Sequence, residues 1–361
     1  MAQKPENIQG IQILRALAAV SVVLVHARFG TTAPDATAFF SWARLPEAGV
    51  DLFFVISGFI MMLVSDPATG RENTPRIFLG RRIRRIVPLY WFFTLALAAG
   101  ATAFPSLLRW TTVTPDLVLT SLFFIPSAHP VSGTVQPLMS VGWTLQYEMF
   151  FYLCFAAVLG LKIGARVAAI AVLFAGLMIL TSITGRDTAI LTFVGHPVVI
   201  EFVAGMGMYW LYRQGWVTRR AALPVAIALV PVVWLVGSGA GAPLEDILPL
   251  HWIRPIAWGV PAAMVFYVGL AIREVTGAAG RALAKLGDAS YSLYLCHVFA
   301  VAIINKAWMA LGHEQGPAVW IVLPLCIVAG FVSYHYIERP LGTLVRRGGD
   351  LWPGASRPSR S

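Results

Sequence analysis

The sequence predicts an all-α polytopic membrane bundle of about ten transmembrane helices, with both termini in the cytoplasm. Three observations predict it. Residues of the Ala, Val, Ile, Leu, Met, Phe, Trp, Tyr and Cys set make up 58% of the 361 residues, with 12% charged. A soluble fold needs roughly a quarter of its residues charged to cover its surface. The apolar residues also form continuous runs of about 20, the length that crosses a bilayer as helix. Those runs do not alternate as barrel strands do, and a helix satisfies its own backbone groups in lipid. The same composition excludes a disordered chain, a coiled coil and a secreted disulfide scaffold.

Taken in order, the runs place spans at 10–29, 49–65, 86–104, 142–160, 166–184, 190–212, 221–238, 253–272, 287–308 and 318–337. No small-residue cleavage site follows the first run, so it reads as a retained span rather than a signal peptide. Charge sets the orientation. With the N-terminus inside and the sides alternating, 21 of the 27 Lys and Arg residues fall on the cytoplasmic side. The outer side keeps Arg28, Arg44, Arg109, Arg186, Arg254 and Lys306. That split follows the positive-inside rule. It accounts for the net charge of +10 without a nucleic-acid partner.

Two loops are long. Residues 66–85 read as a basic cytoplasmic loop, and 105–141 as an external segment. The apolar stretch Leu117 to Ile125 in the latter is too short to span and is expected to lie at the interface or re-enter. Residues 1–345 read as one transmembrane domain, and 346–361, rich in Gly, Pro, Ser and Arg, as a disordered cytoplasmic tail. Cys154, Cys296 and Cys326 lie in apolar runs without pairing or metal-ligand spacing.

An ionisable group inside a span costs roughly 2.5–3.5 kcal/mol on insertion scales, so each one is a candidate for function. Arg15 and His26 share a face of the first span, three turns and about 16 Å apart along the axis. Taken singly, Arg15 could snorkel and His26 could bond a neighbouring helix; together they suggest a common cavity. Asp51 enters the second span at the depth His26 has reached, where it could orient that imidazole and raise its basicity, or simply cap its helix. Glu148 lies well inside the fourth span, without a basic residue within a turn, so it is expected to be protonated or to face a water-filled cavity. The run Arg81-Arg82-Ile83-Arg84-Arg85 exceeds what orientation requires, and guanidinium forks suit phosphate; an anionic ligand or lipid headgroups would satisfy it. His297 sits near mid-membrane with Tyr294 one turn before it, both candidate cavity-lining residues.

These residues fall in ordered motifs: Arg15 to His26, Gly-Val-Asp-Leu-Phe-Phe-Val-Ile-Ser-Gly-Phe at 49–59, Arg-Arg-Ile-Arg-Arg-Ile-Val-Pro at 81–88, Trp-Thr-Leu-Gln-Tyr-Glu at 143–148, Ser-Leu-Tyr-Leu-Cys-His at 292–297 and Ile-Glu-Arg-Pro at 337–340. In this order they resemble the acyltransferase-3 family of bacterial integral-membrane acyltransferases over essentially the whole chain. The sequence at 147–152 is similar to the exopolysaccharide O-acetyltransferase branch; Thr144 departs from the Trp-Ser-Leu common in the family. The resemblance implies transfer of an acyl group, acetyl above all, from acyl-CoA to a carbohydrate hydroxyl of an exopolysaccharide or its lipid-linked precursor. It implies His26 as the essential histidine and Arg15, Arg82 and Arg85 on the donor side. Joined to the reading of the spans, it leaves Asp51 or Glu148 to support the histidine. The expected setting is the bacterial inner membrane, alongside polysaccharide biosynthesis machinery, with no bound cofactor and no metal. A secondary transporter and a non-catalytic component of a polysaccharide export assembly remain the alternatives on the residues alone.

Overall fold

The computed structural model describes residues 8–28, 42, 44–69, 74–105, 108, 111–241, 250–272, 277–313 and 316–348. Lys4, Arg71, Arg109, Arg273, Arg357 and Arg360, used above for orientation, and the expected tail from 349 onward lie outside the described residues. Helices run in the order α1 (Gln9–Arg28), α2 (Ala48–Ser65), α3 (Pro75–Ala103), α4 (Pro115–Leu122), α5 (Trp143–Ala157), α6 (Ile163–Thr184), α7 (Ala189–Val194), α8 (Ile200–Arg213) and α9 (Arg219–Gly237). They continue as α10 (Leu250–Arg254), α11 (Val260–Ala271), α12 (Ala278–Asp288), α13 (Ser290–Ala310), α14 (Val319–Ser333) and α15 (Arg339–Gly348). A π turn at Pro255–Gly259 joins α10 to α11, and another at Tyr334–Glu338 joins α14 to α15.

Among the described residues, nine helical segments are long and apolar enough to cross a membrane. The expected span without a counterpart among them is the fourth, 142–160: its helix α5, at 15 residues, falls short of the roughly 20 a crossing needs. Two other expectations need correction. The loop assigned to 66–85 ends at Thr74, whose side chain accepts from the Ile77 N–H and caps α3 with Pro75 at its first position. Arg82 and Arg85 therefore sit on a helix, which fixes their directions. At the C-terminal side, α15 continues to Gly348, so the expected boundary at 345/346 falls inside a helix.

The stretch around 117–125 forms α4, capped by Thr114. It packs against α3: Trp91 Nε1 donates to the Leu122 carbonyl at 2.8 Å, and the rings of Tyr90 and Phe124 stack at 4.8 Å.

The centre of the bundle is α2, most of whose residues are buried. Its close partner is α8, and the approach depends on two glycines. A Cβ on Gly58 would collide with the Phe202 carbonyl, and one on Gly205 with the Val55 carbonyl. Small residues let helix backbones approach where the bilayer supplies no hydrophobic drive. Gly205→Ala is accordingly expected to lower stability by about 1–3 kcal/mol, the range for overpacking, measured as a lower thermal midpoint in detergent. Phe59, Phe151, Phe202 and Phe266 fill the space beside this contact.

Candidate active site

Cavity-facing residues of five helices surround a cavity of about 100 Å³. α1 contributes Arg15, α2 Phe53 and Ser57, α3 Arg82 and Arg85, α5 Thr144, Glu148 and Tyr152, and α13 Ser290, Tyr291 and Tyr294. Five of the residues expected at the site, Arg15, Arg82, Arg85, Glu148 and Tyr294, thus line one cavity. They come from segments far apart in the chain.

One end of the cavity is cationic. Arg85 is exposed, Arg82 is half-buried, and the Arg82 Nε is buried without a hydrogen-bond partner. Arg15 Nη1 donates to Gln12 Oε1 at 3.1 Å, and Arg15 feels the charges of Arg85, Glu338, Asp288 and Glu148. A guanidinium nitrogen can only donate, so the buried Arg82 Nε is an unmet donor. Glu338 lies by this end too: it accepts from Ser292 Oγ at 2.6 Å and feels Arg85 and Arg15.

The wall facing these arginines carries Glu148. Its Oε1 accepts from Ser57 Oγ at 3.1 Å and from the Tyr152 hydroxyl one turn on. Both hydroxyls are buried, so the carboxyl group is held in one orientation. Tyr294 is also fixed: its hydroxyl donates to the Val141 carbonyl at 2.7 Å and lies 2.6 Å from Thr144 Oγ1. The threonine that departs from the family pattern thus supplies a hydroxyl here. Tyr291 donates to the Ile86 carbonyl at 2.7 Å, tying α13 to α3 just after the arginines.

The two histidines lie farther along the same faces. Ser290, Tyr294 and His297 follow at helical spacing on α13, and Arg15 and His26 do so on α1. The rings of His26 and His297 meet edge to face with centroids 4.7 Å apart. Neither ring is on the cavity wall; Tyr294 is, and its ring lies 6.1 Å from that of His297. His297 was expected to line the cavity and instead is fully buried behind the lining. His26 Nδ1 lies 2.9 Å from the Val22 carbonyl. A carbonyl can only accept, so Nδ1 carries the proton and the neutral ring keeps its lone pair on Nε2.

Asp51 has a different partner from the one expected. Its Oδ2 accepts from Arg254 Nη2 at 2.8 Å, and it is 0% exposed. The Arg254 guanidinium lies over the rings of Trp258 at 4.8 Å and Trp143 at 5.3 Å. Glu201 on α8, 3% exposed, is buried in the electrostatic neighbourhood of Asp51 and Arg254, and neither of its carboxyl oxygens has a hydrogen-bond partner. Sequence reasoning passed over Glu201 and Arg254, although Glu201 is an acidic residue inside an apolar run, the signal that singled out Glu148. It also passed over Ser57 and Tyr152, whose roles depend on Glu148. Among the described residues, no group of three or more His, Cys, Asp or Glu side chains could hold a metal ion.

A family model described as an acyltransferase domain matches residues 8–336. The chain belongs to this acyltransferase family. Exopolysaccharide production protein ExoZ of Rhizobium meliloti is 39% identical, over 83% of this chain and 90% of that protein. The putative peptidoglycan O-acetyltransferase YrhL of Bacillus subtilis is 26% identical over 94% of this chain, which spans only 56% of YrhL. Acyltransferase MdmB of Streptomyces mycarofaciens is 26% identical over 94% of this chain and 92% of its own length. No solved structure matches. The family membership fits an all-helical, multi-pass membrane bundle with a polar cavity inside it.

Proposed function

We propose that this acyltransferase is a membrane-bound O-acetyltransferase that moves an acetyl group from acetyl-CoA to a hydroxyl of an exopolysaccharide or its lipid-linked precursor. The observation that carries the reading is a cavity lined by Arg15, Arg82, Arg85 and Tyr294, with the Tyr294 ring 6.1 Å from that of His297, which in turn packs against His26. The likeness to ExoZ over most of both chains favours an exopolysaccharide acceptor.

Acyl-CoA carries a 3′-phosphate and a pyrophosphate, which three guanidinium groups can grip by charge-assisted hydrogen bonds. Its thioester hangs from a long flexible arm. Arg15 and His26 are separated by about 16 Å along α1, a span such an arm can cover once the Tyr294 wall yields. His26 Nε2 then removes the proton of the acceptor hydroxyl as its oxygen attacks the thioester carbonyl. The C–S bond breaks, and the thiolate takes the proton back from His26. In a two-step version, Nε2 attacks the thioester first and the C–S bond breaks to release the CoA thiolate; the acceptor hydroxyl then takes the acyl group from Nε2, and its proton ends on the thiolate. Glu148, held by Ser57 and Tyr152, orients the reacting groups from the opposite wall. With the basic cavity mouth on the cytoplasmic side of the inner membrane, the donor enters from inside and the acceptor meets His26 from outside.

Purified protein in nanodiscs, given acetyl-CoA and its exopolysaccharide, should release free CoA thiol in proportion to ester formed. Thiol release that ignores the acceptor, with no ester on the glycan, overturns the reading; a transporter would give neither. Arg82→Ala is expected to raise the KM for acetyl-CoA roughly tenfold to a hundredfold, the loss of a hydrogen bond to a charged group, with a smaller change in kcat. Steady-state kinetics with donor varied checks it.

A further inference from the structure

His297 is 0% exposed, yet its ring is only half satisfied. Nδ1 lies 3.1 Å from the Leu293 carbonyl, while Nε2 is buried without a hydrogen-bond partner. As with His26, the carbonyl fixes the proton on Nδ1 and leaves the lone pair on Nε2. Leaving such an acceptor unmet costs free energy that a leucine at this position would not incur. The ring touches His26 edge to face at 4.7 Å, and its other aromatic neighbour, Tyr294, has its own hydroxyl occupied by Val141 and Thr144. The ring that carries the unmet acceptor therefore packs against a histidine that gains a proton during the reaction.

We propose that His297 is a positioning residue for acyl transfer: its Nε2 lone pair stabilises the imidazolium that His26 becomes and keeps the His26 ring in its attacking orientation. The inference rests on the acyl-transfer reading. In the direct step, the acceptor O–H bond breaks, its proton passes to His26 Nε2, and the oxygen pair forms the new C–O bond. The C–S pair then leaves on sulfur, which recovers the proton from His26. Between the two proton transfers His26 is a cation, with its Nδ1–H still on Val22. A neutral imidazole touching it with its lone pair unclaimed favours that cation over the neutral ground state, which lowers the barrier without tightening the binding of either substrate. His297 itself gains and loses no covalent bond.

The test measures kcat and both KM values for wild type, His297→Phe and His297→Gln in nanodiscs. The phenylalanine keeps a ring and removes the lone pair; the glutamine restores an acceptor oxygen. The expected result is a kcat lowered on the order of tenfold to a hundredfold in His297→Phe, both KM values unchanged, and recovery of a good part of kcat in His297→Gln. Equal kcat in wild type and His297→Phe overturns the inference, as does a loss in which both KM values rise together and glutamine recovers nothing. If His297→Phe does not fold, His297→Leu and His297→Asn form the same comparison, and equal rates for these two overturn it. Absence of transfer by wild type is a different result, and counts against the acyltransferase assignment itself.

Discussion

Replacing His26 with alanine is expected to abolish acetyl transfer to the glycan while leaving the fold intact. The side chain is half-buried, and alanine suits the last turn of α1 (Gln9–Arg28), so the stability change should be small. The chemical loss should be large. Removing a general base lowers rates on the order of 10²- to 10⁴-fold, and removing a residue that carries the acyl group leaves no route at all. His26→Gln separates size from basicity, because it fills the space with an amide that cannot take a proton; it should be as inactive as alanine. The two mechanisms also differ in a measurement. Incubating wild type with acetyl-CoA alone and analysing the peptide containing His26 by mass spectrometry should give a mass increase only if the histidine carries the acyl group. Ping-pong kinetics would accompany that result, and a ternary-complex pattern the direct one. Wild-type transfer by His26→Ala would remove both versions.

Much of this site is legible in the sequence because of the solvent. In lipid a charged side chain is costly, so Arg15, Glu148 and the arginines at 81–85 stand out against apolar runs, and the structure gathers Arg15, Arg82, Arg85 and Glu148 around one cavity. Helix periodicity placed Arg15 and His26 on one face of α1, but only Arg15 lines the cavity that the shared face was expected to give both. What could not be read was pairing across the bundle. Asp51 and Arg254 are 203 positions apart, and depth alone allowed His26 to be the partner of Asp51. The π turn after Arg254 has no sequence signal beyond the prolines at 255 and 261. The helical start of α3 was concealed by its own charge, since a basic run beside a span reads as loop whether or not it is helical. His297 was expected on the cavity wall, and its burial behind the lining depends on α1 packing that no spacing on α13 reveals.

Breaking the Asp51–Arg254 pair is expected to cost more stability than any other single change around the site. Removing one partner of a buried ion pair leaves the other uncompensated, which typically costs about 3–5 kcal/mol. Asp51→Ala should therefore unfold at a markedly lower temperature, with Arg254 left over the two tryptophan rings. Arg254→Lys should also be poorly tolerated, because an ammonium group cannot reproduce a planar fork lying over Trp143 and Trp258. Glu201→Gln is the informative contrast. A carboxylate oxygen cannot donate, so a bond between Glu201 and Asp51 requires one of the two to hold a proton. The glutamine amide can make the same donation, and this variant should stay near wild-type stability, whereas Glu201→Ala opens a cavity and removes a partner. A double-mutant cycle on Asp51→Asn and Arg254→Met, read by thermal unfolding in detergent, should show coupling well above the roughly 0.5 kcal/mol scatter of independent sites. The same variants test the alternative role for Asp51. Were it orienting His26, Asp51→Asn would lower kcat and spare stability; the geometry around Arg254 predicts that stability falls first and that activity per folded molecule is largely kept.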